Sequence, residues 1–151
     1  MKNILFVCHG NICRSTMAES VFAHLVRVKN LEEKYACFSA ATSTEEIGNP
    51  PHPGTVNKLR RVGVSVVPHR AVQMTRADYE KYDLILGMDS WNIRNILRIT
   101  GGDPAGKVHR LLDGTPNPRD IADPWYTGNF DETYKDVLEG CTALLEELEK
   151  E

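Results

Sequence analysis

The chain has 151 residues, of which 41% are hydrophobic and 26% are charged. This composition excludes a disordered chain and predicts one globular domain over residues 1–151. The formal net charge is −3, and the sequence lacks the basic stripe of a nucleic-acid-binding protein. The longest apolar runs are too short for a membrane span or a signal peptide, and four cysteines do not suggest a secreted disulfide framework. We therefore expect a cytoplasmic protein with no nucleic-acid partner.

The first half of the chain alternates short apolar runs with helical periodicity. Residues 4–7 form a β-rich apolar run that predicts a buried strand. Apolar residues then recur at helical spacing, which predicts a helix over about 15–29. A second strand is predicted at 35–40, a rigid Gly/Pro loop at 48–54, and a helix over about 55–62.

The second half continues this alternation. Thr75 is predicted to cap a short helix that ends near residue 82. A strand is predicted at 83–88, followed by a helix marked by apolar residues within 93–97. A short fourth strand is predicted at 107–111, and a loop at 113–129 that holds three prolines and two glycines. A clear apolar stripe predicts a long final helix after this loop.

Strands that alternate with helices predict the layout of the whole domain. Right-handed crossovers give an α/β fold of three layers, αβα, with a central parallel sheet of about four strands. Ligands of such folds bind beyond the carboxyl ends of the strands, and the first strand ends at Cys8. A 17-residue loop is uncommon in a compact domain, so 113–129 is the second region where function is expected.

The segment after the first strand suits an anion. A loop that wraps into a helix N-terminus directs successive N–H groups at one point, where the helix dipole adds positive potential. Gly10 is expected to allow a turn that a side chain would hinder, and Arg14 offers a planar fork for two phosphate oxygens. We predict a phosphate-binding loop after the first strand, formed by His9, Gly10, Asn11, Ile12, Cys13, Arg14 and Ser15.

Two further side chains complete a reaction scheme around this loop. The positive field favours the ionised form of the Cys8 thiol, and a thiolate beneath a bound phosphate can attack phosphorus in line. Asp123 precedes Pro124, which stiffens the backbone. Its carboxyl group could protonate a leaving group and then activate the water that cleaves a phosphocysteine. This scheme requires no metal or other cofactor.

Together these residues resemble the low-molecular-weight protein tyrosine phosphatase family. The likeness rests on Cys8-x5-Arg14-Ser15 and Asp123-Pro124, and it covers nearly the whole chain. It implies that the protein hydrolyses phosphate monoesters, above all phosphotyrosine in proteins, through a phosphocysteine intermediate. By this resemblance Cys8 is the nucleophile, Arg14 binds phosphate and Asp123 is the general acid and base.

The resemblance also implies supporting contacts around the loop. Ser15 would bond the Cys8 sulfur, and Asp89 would pair with His69. Cys13 is either packed and inert or able to form a reversible disulfide with Cys8. The implied loop supports are Asn11, Ser15, Ser39, His69 and Asp89.

This sequence departs from the family pattern at three places. Thr16 replaces the usual proline, and Glu45 stands where members selective for phosphotyrosine often have an aromatic residue. Trp125 and Tyr126 follow Asp-Pro, so an aromatic wall is expected on one side of the pocket only. We predict a pocket wall of Glu45, Trp125 and Tyr126, with Glu45 favouring substrates that carry basic groups.

Other functions of the same fold are weighed against this one. A thioredoxin-coupled arsenate reductase needs further cysteines near the third strand, and residues 84–97 contain none. A phosphoarginine-preferring phosphatase stays open because of Glu45. A binding module without turnover would typically lack the nucleophile, the arginine or the acid. We expect a monomer or weak dimer that acts on phosphorylated proteins or small phosphomonoesters and is inhibited by phosphate-like oxyanions.

Overall fold

The computed structural model describes all 151 residues, and its centre is a sheet of four strands. The strands are β1 (Lys2–Cys8), β2 (Tyr35–Ala41), β3 (Leu84–Gly87) and β4 (Val108–Arg110). Their order across the sheet is β2-β1-β3-β4, and every neighbouring pair is parallel. Each predicted strand is found within two residues of its predicted ends. The predicted α/β fold with about four parallel strands is confirmed.

Six α-helices and one 3₁₀-helix, η1, connect and cover the strands. None of the helices has the length and apolar character that crossing a bilayer requires. The helices are α1 (Arg14–Val28), α2 (Pro53–Arg61), α3 (Asp78–Lys81), α4 (Ser90–Thr100), η1 (Leu111–Gly114), α5 (Pro124–Thr127) and α6 (Phe130–Lys150). Helix α1 packs on α6, and α4 contacts β3 and β4.

The central strand β1 is buried on both faces because alternate side chains enter two separate cores. Ile4 and Phe6 belong to the larger core, which they share with apolar residues of α1 and α6. Leu5 and Val7 belong to a smaller core with residues of α3 and α4. The sheet is therefore the middle of three layers, as the alternation of strands and helices predicts.

Two predictions about connections are wrong. Thr75 does not cap α3; its backbone N–H donates to the Asp78 carboxylate at 2.8 Å, and α3 begins only at Asp78. The segment 113–129 is not one continuous loop, because it starts inside η1 and contains α5. Asp123 caps α5 by accepting a hydrogen bond from the Trp125 N–H, and Pro124 fits the first helical position.

The edge strand β4 has two backbone N–H groups bound by side chains. The N–H of Val108 donates to Asp103 Oδ2 at 3.0 Å, and the N–H of Arg110 donates to Asp113 Oδ2 at 2.9 Å. These carboxylates occupy the positions that another strand would otherwise use.

The strand order also determines where a ligand can bind. The chain passes from β1 to β2 on one side, while β3 pairs with β1 on the other. Loops that leave such a switch point diverge and open a crevice beyond the strand ends. Cys8 ends β1, and Asp89 lies two residues beyond the end of β3.

Candidate active site

The loop that joins β1 to α1 turns at an unusual backbone conformation. Asn11 has a φ of 59°, in the left-handed region that asparagine tolerates better than most residues. A Cβ placed on Gly10 would have the Cγ of Glu46 as its nearest neighbour at 3.4 Å, which is an ordinary contact. The expectation that a side chain at Gly10 would hinder the turn is therefore wrong, and the constrained residue is Asn11.

The fully buried side chain of Asn11 stabilises this turn through three hydrogen bonds. Its Nδ2 donates to Ser15 Oγ at 2.8 Å, while its Oδ1 lies 2.6 Å from His69 Nε2 and accepts from the Val72 N–H at 3.2 Å. His69 Nε2 also lies 3.3 Å from Ser39 Oγ. The structure thus brings four of the five predicted loop supports into one buried network.

The sulfur of Cys8 lies at the centre of the loop and is almost fully buried. Its Sγ is 3.1 Å from Ser15 Oγ, as the family resemblance implies, and it accepts the Asn11 N–H at 3.3 Å. Because Asn11 Nδ2 already donates to Ser15 Oγ, the serine hydroxyl is free to donate to the sulfur. Two hydrogen-bond donors are thus directed at this one sulfur.

Arg14, the first residue of α1, is buried with only 2% of its surface exposed. Its Nη1 donates to Asp89 Oδ2 at 2.6 Å and to the Ile121 carbonyl at 2.8 Å, and its Nη2 lies 3.4 Å from Asp123 Oδ2. Burial works against its charge, but the neighbouring Cys8, Asp89 and Asp123 raise its pKa above the usual value. Arg14 therefore stays cationic.

The Nε of Arg14 is buried and has no hydrogen-bond partner. A buried N–H without a partner costs about 1–3 kcal/mol, and such a group in a native protein points to a bound ion or to a functional role. An anion held against this guanidinium would satisfy the group. This atom is independent support for an anion site beside Cys8.

Asp89 does not pair with His69, so this expectation is wrong. Its Oδ2 binds Arg14, and its Oδ1 accepts from the Asn92 N–H at 2.7 Å and caps α4. Burial lowers the pKa of His69, so its ring is neutral near pH 7 and attracts a carboxylate less than Arg14 does. Asp89 consequently supports the loop through Arg14.

Cys8 and Asp123, the proposed nucleophile and acid, both line one cavity of about 90 Å³. Asp123 reaches it from the N-terminus of α5, where its Oδ1 accepts the Trp125 N–H at 3.0 Å. No group of three or more His, Cys, Asp or Glu side chains is arranged to hold a metal ion. The lining residues are Cys8, His9, Gly10, Ile12, Cys13, Glu45, Glu46, Asp123, Trp125 and Tyr126.

Two residues of this site escaped sequence reasoning. Glu46 lines the cavity beside Glu45, and its carboxylate accepts from Asn49 Nδ2 at 2.5 Å. His52 meets the Trp125 ring edge-on, with ring centroids 5.9 Å apart, and its backbone N–H donates to the Ile12 carbonyl at 2.8 Å. The predicted rigid loop 48–54 therefore supports both the predicted phosphate-binding loop and the aromatic wall, a role that its proline content alone does not reveal.

Cys13 and Thr16 stabilise the start of α1. Burial, with a further contribution from Cys8, raises the pKa of the Cys13 thiol to about 12, so it stays protonated. The hydroxyl of Thr16 donates to the carbonyls of Ile12 and Cys13 at 2.9 and 3.1 Å. These bonds hold the first turn of α1. Cys8 and Cys13 are free thiols here, and a disulfide between them stays a prediction.

A buried carboxyl next to the network makes stability depend on pH. Burial raises the pKa of Glu19 to about 6, although a 2.6 Å hydrogen bond from Ser39 opposes the shift. The folded protein therefore holds this proton more tightly than the unfolded chain. The resulting stabilisation is fully present below pH 4.5, the ordinary value for glutamate, and is lost as pH rises through about 6.

We expect Glu19→Gln to remove this dependence, because glutamine stays neutral and can still accept from Ser39. Between pH 4.5 and 7.5 the free energy of unfolding of the wild type should fall by about 2 kcal/mol more than that of the variant. Urea unfolding across this range measures the difference, with Glu80→Gln as the exposed control. An identical pH profile for wild type and Glu19→Gln would show that Glu19 does not titrate as described.

The comparisons with known proteins agree on one family. A family model described as low molecular weight phosphotyrosine protein phosphatase matches residues 3–151. The chain is 42% identical over 153 residues to the low molecular weight protein-tyrosine-phosphatase YfkJ of Bacillus subtilis (strain 168), with 100% of this chain and 98% of that relative covered. It is 40% identical over 150 residues to the low molecular weight phosphotyrosine protein phosphatase of Rattus norvegicus, covering 96% and 94%.

Solved structures give the same answer. The crystal structure of YfkJ from Bacillus subtilis superimposes with a TM-score of 0.96 at 41% identity, over 99% of this chain and 96% of that chain. The structure of DARP, drosophila arginine phosphatase, superimposes with a TM-score of 0.88 at 28% identity, over 98% of each chain. The chain therefore belongs to the family of low molecular weight phosphotyrosine protein phosphatases.

Proposed function

We propose that this phosphatase hydrolyses phosphotyrosine in proteins through a phosphocysteine intermediate on Cys8. The observation that supports this most directly is the meeting of Cys8 and Asp123 at one small cavity. The buried, unpartnered Nε of Arg14 lies beside the same loop. Nucleophile, anion clamp and proton donor are thus side chains of this chain.

The first step transfers the phosphoryl group to sulfur. The Cys8 thiolate attacks phosphorus, the S–P bond forms and the P–O bond to the leaving group breaks. Arg14 and the N–H groups of the loop bind the three other oxygens as charge shifts onto them. Asp123 gives its proton to the departing phenolate.

The second step releases phosphate. The Asp123 carboxylate now accepts a proton from a water molecule, and the oxygen of this water attacks phosphorus. The P–S bond breaks, inorganic phosphate forms and the Cys8 thiolate is restored. Ser15 Oγ, 3.1 Å from the sulfur, supports the returning negative charge. Phosphate-like oxyanions would compete for the same loop and inhibit.

Apolar and acidic groups around the cavity support the choice of substrate. Ile12, Trp125 and Tyr126 offer surface for a phenyl ring, and both aromatic residues are largely exposed. Glu45, whose Oε2 lies 3.0 Å from His9 Nε2, is exposed at the rim. We infer that the protein prefers phosphotyrosine with basic residues nearby.

Phosphoarginine is the second candidate. The carboxylates of Glu45 and Glu46 could accept hydrogen bonds from a guanidinium group, and the structural neighbour DARP is a drosophila arginine phosphatase. Ile12 and Trp125, however, give a guanidinium no acceptor, which favours tyrosine.

Arsenate reduction with thioredoxin is not supported, because β3 and α4 contain no cysteine. We propose a cytoplasmic location, since all four cysteines are free thiols.

The test compares kcat/KM for peptides that carry phosphotyrosine, phosphoserine or phosphoarginine. We expect phosphotyrosine to exceed phosphoserine by about 100-fold, because only the ring fills the apolar side of the cavity. A flanking lysine should raise kcat/KM about 5-fold, and Glu45→Gln should remove this gain while the exposed control Glu80→Gln keeps it. A higher kcat/KM for phosphoarginine would support the second candidate instead.

A further inference from the structure

The segment that carries Asp123 has no regular structure before α5, yet three consecutive residues anchor it. Arg119 Nη2 donates to Asp136 at 2.7 Å and Glu139 at 2.9 Å, both on α6. Ile121 is buried, and its N–H donates at 2.9 Å to the carbonyl of Met88, just beyond β3. Asp120 lies between these two anchors. Before α5, the path of this segment is therefore set by contacts of individual residues rather than by a helix or strand.

Asp120 binds the first turn of α4. Its Oδ1 accepts from the Ser90 N–H at 3.0 Å, from Ser90 Oγ at 3.1 Å and from Arg110 Nη1 at 3.0 Å. Arg110 is itself held, because its Nε donates to Asp113 Oδ1 at 2.9 Å. Partial burial opposes ionisation of Asp120, but the bonds from Arg110 and Ser90 outweigh it and lower its pKa. The carboxylate is charged throughout the neutral range.

This contact joins the two halves of the active site. Ser90 directly follows Asp89. One carboxylate oxygen of Asp89 caps α4, and the other accepts the 2.6 Å hydrogen bond from Arg14. The acid-bearing segment and the phosphate-binding arginine are thus both fixed to the N-terminus of α4. Asp120 itself does not line the cavity, and half of its side chain is exposed. It can act on the reaction only through the segment that it holds.

We propose that Asp120 is a positioning residue that holds the Asp123 carboxyl at the leaving-group side of the cavity by binding Ser90 and Arg110. The inference rests on the proposed role of Asp123 as general acid. A position error of about 1 Å in a catalytic group can cost about 100-fold in rate. The loss should appear where proton transfer matters most, namely with basic leaving groups.

The experiment measures kcat/KM of Asp120→Ala for a series of aryl phosphates. We expect a loss of about 10-fold for phenyl phosphate and less than about 2-fold for p-nitrophenyl phosphate, since a good leaving group needs little protonation. The inhibition constant of inorganic phosphate should stay within about 2-fold, because Arg14 and the loop are intact. Asp131→Asn, which removes the exposed partner of Lys58, is the matched control and should show neither effect.

Two further variants keep the test decisive. Asp120→Asn retains an oxygen for the Ser90 N–H but loses the charge that pairs with Arg110. This variant replaces Asp120→Ala if the alanine variant does not fold. It should show a smaller loss of kcat/KM with the same leaving-group dependence. In an Asp123→Ala background, Asp120→Ala should add less than about 2-fold, because the two residues act on one step.

The possible failures are distinguishable. If the loss of kcat/KM in Asp123→Ala does not depend on the leaving group, Asp123 is not the general acid of the proposed function. If Asp123→Ala shows it but the Asp120 variants slow all substrates equally, weaken phosphate binding to the same extent or add fully to Asp123→Ala, the positioning role is wrong.

Discussion

Replacing Cys8 by serine is expected to abolish hydrolysis of p-nitrophenyl phosphate while an oxyanion still binds. A serine hydroxyl is neutral near pH 7 and attacks phosphorus poorly, so kcat should fall by at least about 10⁴-fold. Arg14 and the loop N–H groups are unchanged in this variant. Titration with inorganic phosphate, followed by the fluorescence of Trp125 in the cavity wall, should therefore give a dissociation constant close to that of the wild type.

Cys37→Ser is the control for this experiment. Cys37 is a partly buried free thiol whose Sγ lies 3.4 Å from the Glu19 carbonyl, and it does not line the cavity. The control should keep its turnover, which would show that the loss belongs to Cys8 and not to any thiol. Near-wild-type turnover in Cys8→Ser would remove the nucleophile and with it the phosphocysteine intermediate.

Replacing Asp123 by alanine should reduce kcat/KM most for the poorest leaving groups. Without the acid, a departing phenolate must leave unprotonated, so we expect a loss of about 10²–10³-fold for phenyl phosphate and a much smaller loss for p-nitrophenyl phosphate. A plot of log kcat/KM against leaving-group pKa measures this as a steeper slope.

Asp123→Asn separates the acid from the cap. Asparagine can still accept the Trp125 N–H that Asp123 Oδ1 accepts at 3.0 Å, but it has no proton to give as an acid. It should therefore lose as much activity as alanine while keeping the unfolding midpoint of the wild type. An asparagine variant with substantial activity would mean that Asp123 serves α5 rather than the reaction.

The sheet and the loop between Cys8 and Arg14 are predictable because their signals are local. The apolar run before Cys8 forms a strand, the periodicity after Arg14 forms a helix, and the spacing between these two residues puts both in one loop. The same local reasoning fails at Asn11, where the left-handed residue is not the neighbouring glycine. Three side-chain hydrogen bonds stabilise Asn11 there, and two of the partners, His69 and Val72, lie 58 and 61 residues further along the chain.

Contacts between side chains from separate elements could not be predicted, for the same reason. Asp89 and His69 are both close to the site. The sequence does not reveal that Arg14 binds both the Asp89 carboxylate, just beyond β3, and the Ile121 carbonyl in the segment before Asp123. Glu46 likewise reaches the cavity only because the loop after β2 folds over Gly10. Such contacts depend on how separate elements meet, which neither hydrophobic periodicity nor motif spacing encodes.

The carboxylates of Asp103 and Asp113, which bind two N–H groups of β4, have a consequence for molecules that meet in concentrated solution. A bare outer strand is a template on which a second chain can grow the sheet into a fibre. Here two of the N–H groups along that border are already occupied from within the same molecule. An incoming strand could bind these two N–H groups only after displacing the carboxylates, so growth from this border is disfavoured.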